Sequence, residues 1–297
     1  MEQTGIIIKA LSGFYYVAAG EEILECRARG KFRKTGESPL VGDRVTVRCD
    51  GQGKGTVLSI LPRKNCFQRP AVANIDTLVI LASQAIPVTE PFLIDRMTVL
   101  ALRQGVEPVI CVNKTDLAAP EPLADIYRAA SFCVVCTSAE TGDGIESLRS
   151  RIAGKTVAFT GNSGVGKSAI LQKLCPTLRI ETGAVSQKLG RGRHTTRHVE
   201  LFPIGAETYV VDTPGFASFD LERMDPVQKE ELADLFPDFL PYLGHCRFPD
   251  CAHRREPDCG VLAALAAGSV QPTRHQSYLR LYEAALQIKP WENQNEK

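Results

Sequence analysis

Several groups of residues in this 297-residue chain have the types and spacing that chemistry needs. The first is Gly161-Asn162-Ser163-Gly164-Val165-Gly166-Lys167-Ser168, a full match to G-x-x-x-x-G-K-[ST]. It follows the apolar run Val157-Ala158-Phe159 and opens a helical pattern, the context in which this motif is a phosphate-binding loop. Glycines let the backbone curl so that successive N–H groups face phosphate oxygens at a helix N-terminus. Lys167 then reaches the β- and γ-phosphates, and Ser168 offers its hydroxyl to Mg²⁺. This loop implies a nucleoside triphosphate without naming the base.

Asn113-Lys114-Thr115-Asp116 names it, because it directly follows the β-type run at 109–112. An aspartate there accepts two hydrogen bonds from the guanine N1–H and exocyclic amine. Adenine lacks that donor pair and would leave the carboxylate unpaired, so the site rejects it. Ser138-Ala139, after the run at 132–137, fits the loop whose backbone N–H meets guanine O6. Asp212-Thr213-Pro214-Gly215 ends another strand pattern. Asp212 would hold Mg²⁺ through water and the Gly215 N–H would touch the γ-phosphate. Upstream, Gly190-Arg191-Gly192-Arg193-His194-Thr195-Thr196-Arg197 fits a switch segment in which Thr195 or Thr196 binds Mg²⁺. Ras-type enzymes place a water-orienting glutamine after D-x-x-G, whereas this chain has Phe216. Intrinsic hydrolysis is therefore expected to be slow, with Lys167, Thr196 and His194 the candidate catalytic groups; His194 is the candidate to position water, with contact to phosphate or RNA the alternative.

The last group lies near the C-terminus. Cys246, Cys251, His253 and Cys259 fall within fourteen residues, with His245 adjacent as a competing ligand. Thiolates and an imidazole suit a closed tetrahedral Zn²⁺ site, structural because four protein ligands leave no open position. The other seven cysteines are scattered and read most simply as packing thiols; with no export signal, a disulfide framework is not expected.

Three kinds of element must position these residues. Short β-rich runs at 6–8, 14–17, 23–28, 44–48 and 56–60 suggest a small OB-like or SH3-like barrel over residues 1–70. Its third and fourth strands bracket Arg27-Ala28-Arg29-Gly30-Lys31-Phe32-Arg33-Lys34, which reads either as a solvated loop or, with its cations and interleaved Phe32, as a nucleic-acid contact. Residues 71–217 alternate strand and helix patterns, as an α/β domain with a parallel sheet does. Residues 218–297 read as helical and more acidic. A net charge of +1 excludes a uniformly cationic nucleic-acid binder but not a local patch. Residues 1–70 carry 12 Lys+Arg against 7 Asp+Glu, and residues 220–297 carry 9 against 13. No apolar run approaches the roughly 18–20 residues of a membrane span, and the first residues do not resemble a signal peptide, so a cytoplasmic protein is expected.

The motif order is N-K-T-D, S-A, P-loop, T-T, D-T-P-G, the Ras-type cycle cut at a different point. Chain ends in compact domains often lie close together, so such a circular permutation keeps a site intact. This order, after a basic barrel and before a Cys/His cluster, resembles the small-ribosomal-subunit-dependent GTPase A (RsgA) family over essentially the whole chain. The resemblance implies Cys246, Cys251, His253 and Cys259 as the zinc ligands. It also implies the 30S subunit and its 16S rRNA as partner, with hydrolysis stimulated during late subunit maturation. Other maturation factors would share that setting, and the protein is expected to be a monomer. Two alternatives stand beside this reading. In one, a GTP-sensing RNA-binding assembly factor uses nucleotide mainly as a conformational ligand. The other is a P-loop ATPase or kinase, which Asn113-Lys114-Thr115-Asp116 opposes.

Overall fold

The computed structural model describes residues 2–30, 32, 38–68, 71–176, 199–212 and 227–287. The chain divides into two compact units, each assembled from several stretches of sequence. One comprises Met1–Leu78, Arg149–Thr160 and Ser168–Phe219. The other comprises Val79–Leu148, Gly161–Lys167 and Asp220–Lys297.

The first unit is built on β1 (Glu2–Leu11), β2 (Phe14–Ala19), β3 (Glu22–Ala28), β4 (Arg44–Gly51) and β5 (Lys54–Ile60). Each lies over a run whose alternation marks a half-buried strand. Ile7, Val17, Leu24, Cys26, Val45, Val47 and Val57 point inward and are buried. The sheet closes on itself because β1 pairs with both β2 and β4, while β5 pairs with β3 in parallel and β4 antiparallel. Gly5 permits the closure, since a Cβ there would sit 2.6 Å from the Ala18 carbonyl oxygen. Asp43, fully buried, accepts two hydrogen bonds from Arg63 at 2.7 and 2.8 Å and one from the Leu40 N–H at 2.7 Å. A hairpin of β6 (Cys66–Gln68) and β7 (Ala71–Ala73) follows.

The barrel does not end at its own strands. β1 also pairs antiparallel with β12 (Glu200–Gly205) through Lys9 and Glu200, which form an ion pair at 2.9 Å. β12 in turn pairs antiparallel with β13 (Thr208–Asp212), and β13 pairs in parallel with β11 (Thr156–Gly161). Phe32 departs from its expected role in nucleic-acid contact: it is only 7% exposed.

In the second unit, β8 (Thr77–Ser83), β9 (Glu107–Asn113) and β10 (Cys133–Cys136) are successive hydrogen-bonded neighbours. Every residue of β8 is buried, as expected of a strand covered on both faces. Helices α1 (Pro91–Arg103) and α2 (Leu123–Ala129) provide the crossovers, and α3 (Ile145–Ile152) follows β10. Pro91 starts α1 where its missing N–H costs nothing. The loop after β11 leads into α4 (Lys167–Leu174), whose residues from Ser168 on belong to the first unit. Residues 227–287 add two short 3-10 turns, then α5 (Gly260–Ala266) and α6 (Pro272–Leu286). Their core is Leu232, Phe236, Phe239, Val261, Val270 and Tyr278, joined by Val99 of α1.

Candidate functional site

The guanine-type loops and residues 161–167 of the phosphate loop lie in the second unit, and one side chain joins them. Asn113, last in β9 and 2% exposed, donates from Nδ2 to the Val165 carbonyl at 2.9 Å. Its Oδ1 accepts from the Thr137 hydroxyl and from the Ala139 N–H, each at 3.1 Å. Asn113 therefore ties the loops at 113–116, 137–139 and 161–167 together. Gly166, at φ +102°, is required by this arrangement: a Cβ there would fall 2.2 Å from Asn113 Nδ2. Gly161 is required by the strand below, because its Cβ would meet the Leu81 carbonyl oxygen at 2.6 Å.

Asp116 is exposed, as a group that receives a base must be. The Ser138 hydroxyl donates to its Oδ1 at 2.6 Å and orients the carboxylate. Ser138 is itself buried, with its N–H donated to the Asp143 carbonyl at 3.0 Å and its Oγ accepting from the Thr141 N–H at 3.1 Å. Lys114, in the left-handed region at φ +68°, donates from Nζ to the Ile86 carbonyl at 2.7 Å. In the phosphate loop Val165 is buried, Ser163 and Gly164 are exposed, and Asn162 and Lys167 are half-buried. Ser168 follows in the first turn of α4. Asp212 ends β13. His194, Thr195, Thr196, Thr213, Pro214, Gly215 and Phe216 lie outside the described residues, as do most of the basic stretches at 31–34 and 188–197.

The second cluster is tighter. One ligand atom from each of Cys246, Cys251, His253 and Cys259 lies within 4.8 Å of the others. Cys246 Sγ is 3.5 Å from His253 Nδ1 and 3.8 Å from Cys259 Sγ, and His253 Nδ1 is 3.4 Å from Cys259 Sγ. A tetrahedral Zn²⁺ with Zn–S of about 2.3 Å and Zn–N of about 2.0–2.1 Å has S–S edges of about 3.8 Å and S–N edges of about 3.5 Å. The donor set thus fits zinc in type and spacing. His245, the competing ligand, is exposed and outside the cluster. Burial pushes the Cys251 thiol up to about 12 and raises that of Cys259, while it lowers the His253 imidazole toward its neutral, ligating form. Thiols so buried become thiolates only against a cation.

The backbone around these ligands is braced from outside the cluster. The Gly260 N–H donates to Cys246 Sγ at 3.4 Å. Glu256 accepts from the N–H groups of Ala252, Arg254 and Arg255 at 3.1, 2.7 and 2.9 Å, which shapes the turn between His253 and Cys259. The Tyr278 hydroxyl donates to the Ala252 carbonyl at 2.9 Å, and His275 Nε2 lies 2.8 Å from the His253 carbonyl oxygen. Because His253 and His275 stand on a core of Phe236, Phe239 and Tyr278, the segment has an apolar interior that its polar sequence conceals.

One assembly had no counterpart among the sequence-level candidates. Arg274 is fully buried, with Nη1 2.6 Å from Asp95 Oδ1 and Nη2 2.7 Å from Asp238 Oδ1. Its guanidinium also lies 4.5 Å from the Phe236 ring centroid. Burial raises the Asp95 carboxyl despite the opposing Arg274 charge, and the two carboxylates hold Arg274 above its usual value against its own burial. The available signal was Asp95 itself, a charge on the apolar face that Ile94, Thr98 and Val99 define.

The chain matches the family model for the RsgA GTPase over residues 60–222 and that for the RsgA N-terminal domain over residues 4–57. It is 44% identical to the small ribosomal subunit biogenesis GTPase RsgA of Caldanaerobacter subterraneus subsp. tengcongensis, covering 93% of this chain and 94% of that protein. The protein of the same name from Alkaliphilus metalliredigens is 43% identical, with 93% and 96% covered. Among solved structures, YjeQ from Thermotoga maritima aligns with a TM-score of 0.83 at 33% identity, covering 97% of this chain and 100% of that one. YloQ, described as a circularly permuted GTPase, aligns at 0.82 and 34%, covering 98% and 97%.

Proposed function

Given that the chain belongs to the RsgA family, we propose that it hydrolyses GTP on the small ribosomal subunit during that subunit's maturation. It is a GTPase of small-subunit biogenesis, and guanine nucleotide is its substrate. The observation that carries this reading is the Asn113 side chain on Val165, which unites a guanine-type loop and a phosphate loop that occur in permuted order.

Asp116 would read the guanine N1–H and exocyclic amine, with Ser138 orienting it, and the Ala139 N–H would exchange its bond to Asn113 Oδ1 for one to O6. The backbone N–H groups of residues 161–166 would cradle the phosphates and Lys167 would neutralise their β/γ oxygens. Ser168, Thr196 and Asp212 would hold Mg²⁺, which offsets phosphate charge when bound. The Gly215 N–H would contact the γ-phosphate and His194 would orient water. Cys246, Cys251, His253 and Cys259 would hold one structural Zn²⁺ that fixes the chain around it.

Three modules, at 1–70, 71–217 and 218–297, would divide these tasks in a cytoplasmic monomer. The barrel cations and the stretch at 188–197 would meet 16S rRNA phosphates. No helix among the described residues is long and apolar enough to cross a membrane. The test is GTP turnover with and without purified small subunits across a salt series. A rise of at least tenfold on adding subunits, fading steeply with salt, is expected. Turnover indifferent to subunits would overturn the proposal in favour of nucleotide as a conformational ligand.

A further inference from the structure

We propose that Arg280 of α6 is a positioning residue for the nucleotide site, acting through Glu90 and the loop at 84–89. The inference rests on the reading of residues 113–116 and 161–168 as a guanine-nucleotide site. Every residue whose contacts carry the argument lies in the same compact unit.

The loop joins β8 to α1, and its neck is locked. The Ser83 N–H donates to Thr89 Oγ1 at 3.0 Å, and the Thr89 N–H donates to the Ser83 carbonyl at 2.9 Å. Both residues are buried, and the Ala85 N–H donates to Ser83 Oγ at 3.0 Å. A tip of five residues on so short a neck moves with the start of α1. That tip touches both halves of the nucleotide site. The Ile86 carbonyl accepts from Lys114 Nζ at 2.7 Å, and the Pro87 ring lies 3.4 Å from where a Gly164 Cβ would stand. Ile86 and Val88 are themselves 87% and 58% exposed, so no packing of their own side chains holds the tip in place.

The other end of this lever is held by α6. Arg280 pairs with Glu90, the residue that precedes α1, and its guanidinium lies 3.5 Å from the centroid of the Phe92 ring. Nearly two turns earlier on α6, Arg274 holds Asp95 at 2.6 Å. The same helix reaches the metal cluster, where His275 meets the His253 carbonyl. Arg280 therefore fixes the first turn of α1, which fixes the locked neck, which places the Ile86 carbonyl and Pro87 against Lys114 and Gly164. Without that hold, the loop must be ordered when nucleotide binds, and affinity falls.

Glu90 and Arg280 are more than half exposed, so their pair contributes little to global stability. That separates positioning from folding. The experiment titrates fluorescent GDP into the full chain for the wild type, Glu90→Gln, Arg280→Gln and the double variant, with thermal midpoints measured alongside. Each single variant is expected to raise the Kd about three- to fivefold at an unchanged thermal midpoint. The double variant should be no weaker than either single one, because the second change removes nothing further. Single variants with wild-type affinity, or losses that multiply in the double variant, would overturn the proposal. A wild type that binds no GDP overturns the site itself, and that failure is recognisable because it needs no substitution.

Discussion

The Asn113 amide donates to the Val165 carbonyl at 2.9 Å, across fifty-two residues of sequence, with Gly166 directly beneath it. A methyl group at 166 would stand 2.2 Å from that amide at a backbone φ of +102°. Gly166→Ala must therefore displace Asn113 or uncurl the loop. It is expected to weaken GDP binding at least a hundredfold by isothermal titration, while far-UV circular dichroism stays native.

Asp116 owes its orientation to the Ser138 hydroxyl at 2.6 Å. Ser138→Ala removes a hydrogen bond to a charged group, worth about 1.5 kcal/mol, and should weaken GDP about tenfold. Asp116→Asn should do more, because an amide presents a donor where guanine also donates. Competition between GDP and XDP reads the outcome: xanthine carries an acceptor at that position, so the preference should invert.

The donor spacing at Cys246, Cys251, His253 and Cys259 calls for one zinc per chain. Elemental analysis should return one equivalent, and Cys251→Ser should lower it. Chelation should expose residues 227–287 to protease before the barrel, because their backbone turns converge on the cluster. Identical digestion patterns with and without chelator would rule this out.

Arg274 sits between Asp95 and Asp238 with no exposure of its own. Arg274→Ala leaves two buried carboxylates uncompensated, and about 3–5 kcal/mol of stability should be lost in urea denaturation. Arg274→Lys should recover only part of it, since an ammonium cannot reproduce the planar fork that reaches both partners. The apolar exchange Arg274→Met combined with Asp95→Leu and Asp238→Leu should be less harmful than Arg274→Ala alone.

Glu256 supplies a pH signature. Burial works to raise its carboxyl, but the N–H groups of Arg255, Arg254 and Ala252 prevail and hold it below its ordinary value. A carboxyl depressed in the folded state stabilises the fold above its unfolded value and loses that contribution as pH falls through the folded one. Unfolding of the wild type should therefore show a steeper loss of stability below about pH 4.5 than Glu256→Gln does. Parallel profiles would remove Glu256 from the acid response.

Much of this molecule is written locally. The phosphate loop, Asn113-Lys114-Thr115-Asp116 and the Cys/His spacing are contiguous because each must wrap one small ligand with nearby backbone. For the same reason their elements are legible: β8, β9 and β11 are apolar runs. The permuted order is equally plain, since order is a property of sequence. What only the tertiary structure decided are the relationships between distant segments. Nothing local tells that Phe32 turns inward, that Lys9 of the barrel pairs with Glu200, or that Asp95, Asp238 and Arg274 meet in a buried interior. Such choices depend on which surfaces are left to cover once the sheets have formed. Burial energy is collective, and no single residue carries it in its own neighbourhood.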